Sequence, residues 1–323
     1  MKTKPVIIIS GATASGKTSC SLKVATFLKQ QQPRDVEIVN FDSLLFYKEL
    51  NIGNAKPTIQ ELSLIPHHMI NICSAKHPIN ACDYIERAKP LIDKLHRESK
   101  IVILVGGSGF YLRALVKGMY AGVATPAEIK MQVAELYRLH GIGPLREILK
   151  SSDPESLHQL HENDHYRIRR AVEFFIATGG KISQQKLKQD QLDPYNLLRD
   201  RHTDWQLFHC YLDIEKPQHL QIIEQRTDKM LAQGLVEEVQ NLLRQGFDGS
   251  EKPINSIGYK ETLNYLKGAY TSRQVLAERI VISTRQLAKS QRTFFKKITP
   301  QQQFNPLMDE KIILQNILAF LEE

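Results

Sequence analysis

Three short apolar runs, residues 6–9, 36–41 and 101–105, stand out early in the chain, each rich in β-branched side chains. None alternates apolar with polar positions, and segments of helical composition separate them. Unalternating strands spaced by helices predict a parallel sheet buried on both faces. A fourth run of the same kind, residues 207–214, follows only after a long gap. Between about residues 120 and 201 no strand pattern appears, and 129–139, 145–149 and 166–177 read as helices instead. The clearest helix is 165–177, where Ile168, Ala171, Val172, Phe175 and Ile176 recur at i, i+3, i+4, i+7 and i+8. Asn163 or Asp164 can cap its start, and Gly179 follows as a stop. From residue 218 onward the chain reads as helices with one loop near 246–256. The expected architecture is an α/β core formed by residues 1–119 and 202–323, interrupted by an all-helical insertion at 120–201.

Composition changes this picture little. The 323 residues suffice for one large domain or two ordinary ones. Lys and Arg number 43 against 35 Asp and Glu, and the resulting +8 permits a polyanionic partner without demanding one. Cys20, Cys73, Cys82 and Cys210 form no CxxC pair and no metal-cluster spacing, so reduced thiols are expected. No apolar run approaches the roughly 20 residues that span a bilayer. A soluble, cytoplasmic protein with no membrane partner is the expectation.

The chemistry begins where the first strand ends. Gly11-Ala12-Thr13-Ala14-Ser15-Gly16-Lys17-Thr18 has the G-x-x-x-x-G-K-T form, directly after an apolar run and before a segment able to form a helix. Glycines let successive N–H groups turn inward around phosphate oxygens, and the following helix adds its positive dipole end. Lys17 can reach the terminal phosphate, and the Thr18 hydroxyl can hold Mg²⁺. This is the loop of nucleotide-binding, ATP-binding proteins, and a di- or triphosphate ligand follows from it. The fold is then a P-loop-type parallel sheet flanked by helices.

What the loop does is less determined by the motif. Nucleotide-hydrolysing members place an acid at the end of another strand, but the third strand here runs into Gly106, Gly107, Ser108 and Gly109. Asp42, closing the second run, is the acid available. It could help hold Mg²⁺, act as a general base for an acceptor beside the phosphates, or simply cap the next helix together with Ser43.

Nine ordered motifs resemble those of the bacterial tRNA dimethylallyltransferase family, also called tRNA isopentenyltransferases. They are GATASGKT at 11–18, DSLLFY at 42–47, IGNAKP at 52–57, PHH at 66–68, GGSGFY at 106–111, NDHYR at 163–167, EQR at 224–226, IGYKE at 257–261 and TRQLAK at 284–289. The resemblance implies a prenyltransferase that moves a dimethylallyl group from dimethylallyl diphosphate to N6 of the adenosine 3′ to the anticodon. The tRNAs concerned would be those reading codons that begin with U. The loop would then hold the donor's diphosphate with Mg²⁺, Arg226 would supply a second cation, and Asp42 would be the general base. Ser43, Leu44, Leu45 and Ser108 would lie beside the target base. Lys130, Asn163, Asp164, His165, Tyr166 and Arg167 would contact the anticodon stem-loop, as would Ile257, Gly258 and Tyr259. The insertion would grip the stem, and the enzyme would act as a monomer.

In residues 273–297, Leu276, Ile280, Leu287 and Phe294 make one apolar stripe. Arg285, Lys289, Arg292 and Lys296 make a separate basic one, expected to face RNA phosphates. The chain departs from the family pattern at Ala12 (usually proline), Leu45 (often glutamine), Asn54 and Ser108 (both usually threonine), and at Thr293-Phe294-Phe295, where tryptophan is common. These touch fine specificity and remove none of the catalytic groups the resemblance implies. Two other activities fit parts of the sequence, a P-loop kinase of a small metabolite and a prenyltransferase acting on free adenine nucleotides.

Overall fold

The computed structural model describes residues 4–118, 125–190, 193–199 and 203–323. Six strands form one wholly parallel sheet in the order β3-β2-β4-β1-β5-β6. β1 is Pro5–Gly11, β2 Val36–Asn40, β3 His67–His68, β4 Ile101–Gly106, β5 Gln206–Leu212 and β6 Gln302–Phe304. The four apolar runs are thus four of the six strands. β1 lies at the centre, its Ile9 opposite Val105 on one side and Cys210 on the other. Its side chains feed two cores. Val6 and Ile8 pack with Val39, Leu104 and Tyr84, while Ile7 and Ile9 pack with Val24, Leu28 and Ile103. Burial on both faces is why these strands carry no polar alternation.

β6 corrects the sequence reading of the chain beyond residue 218 as helices with one loop, and β3 is a strand that reading does not contain. Both are short edge strands, and Gln302 and Gln303 are exposed. Neither supplies an apolar run from which a strand can be read.

The chain divides into two compact units, Met1–Lys117 with Tyr195–Glu323, and Gly118–Pro194. The stretch without strand patterns puts the second boundary at 201 in the sequence. The contacts set it at Pro194, because Leu197 is buried in the larger unit's core and its N–H donates to the Thr299 carbonyl. The smaller unit contains the helices Ala127–His140, Gly143–Ser152, Pro154–Gln159, His165–Thr178 and Ile182–Asp190. Val133, Leu145, Leu149, Ile168, Ala171 and Val172 form its own core. Asp164 caps the fourth helix through Arg167 N–H, and Gly179 ends it in the left-handed conformation. Towards its end Phe174 is buried, whereas Phe175 is half-buried and Ile176 exposed, a shift from the stripe expected of the sequence.

Among the described residues, no helix is long and apolar enough to cross a membrane.

Candidate active site at the ends of the central strands

In an open parallel sheet, ligands bind outside the carboxyl ends of the strands, where neighbouring connections diverge. β1, β2 and β4 here end respectively in the glycine-rich loop, Asp42 and Gly106-Gly107-Ser108. Gly11 is required by packing, since a Cβ there would lie 2.5 Å from Ser15 Oγ and 2.6 Å from the Leu212 carbonyl. The loop turns tightly, with Ser15 N–H donating to the Ala12 carbonyl at 3.2 Å. Gly16 has φ 79° and begins the helix Lys17–Gln31. Ala14 has φ 61°, a left-handed backbone that a side-chain-bearing residue adopts at a cost of order 1 kcal/mol.

Lys17 folds back over this loop, and its Nζ donates to the Ala12 carbonyl at 2.7 Å and the Gly11 carbonyl at 3.1 Å. Burial lowers its pKa to about 8; Asp42 opposes that shift and Arg226 adds to it. Asp42 Oδ2 and the Gly11 carbonyl that Lys17 holds both face Gly107, so the two charges lie on the same side of the loop. Arg226 comes from the helix Lys216–Ala232 and donates to Thr13 Oγ1 at 3.5 Å and to the Asn54 carbonyl at 3.3 Å. Burial also lowers its pKa, again against Asp42.

Asp42 does two things at once. Oδ1 accepts from Leu44 N–H at 3.2 Å, capping the short helical turn Ser43–Phe46. Its backbone is fixed by Asn40, whose Oδ1 accepts the Asp42 N–H at 2.8 Å and whose Nδ2 donates to the Asp42 carbonyl. Oδ2 meanwhile faces Gly107, 3.4 Å from where a Cβ on that glycine would stand. The capping role therefore uses one oxygen and leaves the other for chemistry. Ser108 Oγ accepts from Ser43 N–H at 3.1 Å and donates to Ser43 Oγ at 3.3 Å, so Ser43 and Ser108 sit together next to Asp42. Leu44 and Leu45 follow in the same half-buried turn, and the Leu44 carbonyl accepts from Asn54. Beneath the turn Phe46, Tyr84 and Tyr111 pack with ring centroids 5.4–5.7 Å apart, and the Tyr84 hydroxyl donates to the Asn40 carbonyl.

Not every expected contact residue stands at this place. Tyr259 is 0% exposed; its hydroxyl donates to Glu238 at 2.5 Å and accepts from Gly53 N–H at 3.2 Å. That corrects the expectation of a tRNA contact, because so enclosed a ring has no face left for a nucleic acid. Gly258 is also buried, with φ 91°, and only Ile257 of this trio is partly open. Lys130, Asn163, Asp164, His165, Tyr166 and Arg167 all belong to the smaller unit. Lys130 and Asn163 are exposed, Tyr166 is 66% exposed, and Arg167 pairs with Asp164 at 2.6 Å. His165 Nδ1 lies 2.9 Å from the Tyr137 hydroxyl.

The long helix Arg273–Phe295 also departs from expectation. Leu276, Ile280, Thr284, Ala288 and Phe295 are its buried positions, while Leu287 and Phe294 are only half-buried. From Leu276 to Ala288 the buried line advances every fourth residue, through small side chains a search for large apolar ones passes over. Arg285, Lys289 and Lys296 are exposed, but Arg292 is turned inward with its side chain 16% exposed. It pairs with Asp213 at 2.8 Å and donates to the Ile214 carbonyl and to His219 Nδ1. Its place on the RNA-facing stripe is thereby corrected. Arginine can only donate, so His219 accepts at Nδ1 and its Nε2–H donates to the Thr13 carbonyl at 2.8 Å. Burial and the arginine hold the His219 pKa below its ordinary value. Gln291, beside Arg292, accepts the Thr13 N–H at 2.7 Å. Asp213, His219 and Gln291, and Arg292 in this bracing role, belong to no motif and lie far from residue 13 in sequence, so the sequence alone does not point to them.

The donor set suits magnesium. Among the described residues no group of three or more His, Cys, Asp and Glu could hold a metal ion. Mg²⁺ needs no such cage, being held by one or two hard protein oxygens together with phosphate and water. The Thr18 hydroxyl and the Asp42 carboxylate are such oxygens, and Ser15 Oγ is buried at the loop without a partner.

Fold and site together define an α/β protein of phosphate-loop type, with a carboxylate and two cations gathered at the loop. Residues 45–298 match the model of the family described as IPP transferase. The chain belongs to the IPP transferase family. It is 38% identical over 301 residues to the tRNA dimethylallyltransferase of Bdellovibrio bacteriovorus, covering 92% of each chain. To that of Syntrophobacter fumaroxidans it is 35% identical over 295 residues, covering 90% of this chain and 81% of the relative. Among solved structures it resembles a tRNA Δ(2)-isopentenylpyrophosphate transferase from Staphylococcus epidermidis, with a TM-score of 0.67 and 31% identity over 98% and 99% of the two chains.

Proposed function

We propose that the protein transfers the dimethylallyl group of dimethylallyl diphosphate to N6 of the adenosine 3′-adjacent to the anticodon in tRNAs reading codons that begin with U. The observation that carries this reading is the cluster of Lys17, Arg226 and Asp42 at the ends of β1 and β2, in a chain of this family. Breaking the allylic C–O bond leaves negative charge on the diphosphate. Fixed cations and loop N–H groups that meet this charge as it develops lower the barrier. Lys17 and Arg226 are those cations. The Thr18 hydroxyl would hold Mg²⁺, which when bound would supply further positive charge to the leaving group.

An exocyclic amine on an aromatic ring is a poor nucleophile, so its proton must leave as the C–N bond forms. Asp42 Oδ2 accepts that proton, and diphosphate departs with the electron pair of the broken bond. Ser43, Leu44, Leu45 and Ser108 border the acceptor base. A base paired or stacked in RNA must be flipped out to reach them. The smaller unit, with Lys130 and residues 163–167, grips the anticodon stem-loop.

Incubating the protein with isotope-labelled dimethylallyl diphosphate, Mg²⁺ and undermodified tRNA should place label on that adenosine without any ATP turnover. Unlabelled RNA, or transfer only to free AMP, refutes the reading.

A further inference from the structure

Among the described residues, Gln291 is the one side chain with hydrogen bonds to both the phosphate loop and the Gly107-Ser108 segment. Its Oε1 accepts the Thr13 N–H at 2.7 Å, and its Nε2 donates to the Gly107 carbonyl at 2.9 Å. A backbone N–H only donates and a carbonyl only accepts, so the side chain between them must offer one of each. A primary amide does this; a carboxylate, a hydrocarbon or a cation does not. Asparagine carries the same amide one methylene short. The approach also depends on glycine at 107, where a Cβ would stand 2.7 Å from Gln291 Nε2, 3.4 Å from Asp42 Oδ2 and 3.4 Å from the Gly11 carbonyl.

The amide is thus wedged between the donor cradle and the acceptor side of the site. The same helix turn also braces the Thr13 carbonyl, which belongs to the next peptide group. Asp213 fixes Arg292, Arg292 fixes His219, and His219 Nε2–H donates to the Thr13 carbonyl at 2.8 Å. On the far side Ser108, next to Gly107, holds Ser43, and Ser43 follows Asp42. Two hydrogen bonds therefore separate the peptide of Thr13 from the segment that aligns the general base.

We infer that Gln291 is a positioning residue that couples occupation of the diphosphate cradle to the Asp42–Ser108 acceptor side. The inference rests on the prenyl-transfer reading for its chemistry, but the coupling itself is a binding property. A diphosphate oxygen entering the loop competes with Gln291 for the Thr13 N–H. When the amide yields or shifts, its other end moves the Gly107 carbonyl, and with it Ser108 and the ring of contacts around Asp42. Coupling of this sort is reciprocal, so an acceptor seated at Ser43 and Ser108 tightens or loosens the diphosphate by the same factor.

The test uses the full-length protein, inorganic diphosphate with MgCl₂, and an anticodon stem-loop RNA. The diphosphate Kd is measured with and without saturating RNA in the wild type and in Gln291→Leu, Gln291→Glu and Gln291→Asn, with a thermal melt of each. In the wild type the two values should differ by about fivefold or more, the usual scale of such coupling. Gln291→Leu should bring the ratio to about one, and kcat should fall by about tenfold to a hundredfold, as a misplacement of about 1 Å does. The KM for each substrate should change far less than kcat. Gln291→Glu keeps an acceptor for Thr13 but loses the Gly107 bond, so it should also lose the ratio and should weaken diphosphate by charge repulsion. Gln291→Asn, whose amide keeps both functions at shorter reach, should retain part of the ratio. A ratio near one in the wild type, or an unchanged ratio in Gln291→Leu, overturns the inference. So does a loss of both affinities in step with a fallen melting temperature. A wild type that couples the two ligands yet prenylates no RNA sinks the prenyl-transfer reading and leaves the clamp standing.

Discussion

Lys17 has an ammonium whose pKa burial has brought down to about 8, within the range where assays are run. Only the protonated form attracts a diphosphate. Below about pH 8 the cation is present and binding is strong; above it the charge is lost, and affinity should fall about tenfold per pH unit until the diphosphate itself pulls the proton back. Titrating the diphosphate Kd from pH 6.5 to 9.5 checks the sign, and Lys17→Arg, always charged, should flatten the upper limb. Asp42 invites a different test, because one oxygen caps a turn and the other faces Gly107. Asp42→Asn keeps an acceptor for Leu44 N–H but cannot take a proton. Its kcat should fall by about 10²–10⁴, the ordinary worth of a positioned base, while the melting temperature stays near that of the wild type. Retained turnover with weakened Mg²⁺ dependence would make Asp42 a metal residue instead. For Tyr259 the structure predicts the reverse of a binding phenotype. Tyr259→Phe removes the hydroxyl between Glu238 and the Gly53 N–H, leaving that N–H a longer bond to Glu238 at 3.4 Å, which should cost about 1 kcal/mol of stability in a denaturant melt with little change in tRNA affinity.

Elements differ in how openly the sequence declares them. β1, β2, β4 and β5 are legible because each is buried on both faces and must be apolar throughout, whereas β3 and β6 lie at the sheet edges and borrow their order from a neighbour. The glycine loop is legible for the same kind of reason, since only a few backbones can turn N–H groups inward. The residues that brace it are not. Gln291, Arg292, His219 and Asp213 act through a few hydrogen bonds that reach residues distant in sequence, and an isolated polar residue looks much the same from its neighbours. Arg292 illustrates the trap: on a helical wheel it belongs with Arg285 and Lys289, yet one carboxylate from the end of β5 turns it inward. Asp153 in the smaller unit is a quieter example. It is buried, accepts from the N–H groups and hydroxyls of Ser156 and Ser183, and so ties the helix Pro154–Gln159 to the start of Ile182–Asp190. Burial raises its pKa, but those bonds outweigh burial and leave it below the usual carboxylate value. The group therefore stabilises the fold above the unfolded carboxylate pKa near 4, and that contribution is lost as pH falls below it. Asp153→Ala should cost roughly 2–3 kcal/mol at pH 7 and less at pH 3, read by helical circular dichroism.

For the whole molecule, the proposed function would divide the tRNA contacts, leaving the donor and the target base to the larger unit and the anticodon stem to the smaller. Every group assigned to the donor lies in Met1–Lys117 with Tyr195–Glu323, while Lys130 and Arg167 lie in Gly118–Pro194, which has a core of its own. If Lys130 and Arg167 contact phosphate, their contribution is electrostatic and releases counterions, so it must appear in the salt dependence of tRNA binding and nowhere in the donor's. Both are exposed, and Arg167 shares its charge with Asp164 in a pair open to solvent, where such pairing holds little energy. Reversing both, Lys130→Glu with Arg167→Glu, should weaken tRNA by about tenfold or more at physiological salt and flatten the plot of log Kd against log salt by about two. The diphosphate Kd should be unchanged, and so should kcat at saturating tRNA. An unchanged salt slope would mean that the smaller unit meets RNA through another face, and a diphosphate Kd that moved with it would mean that the two binding functions are not divided between the units at all.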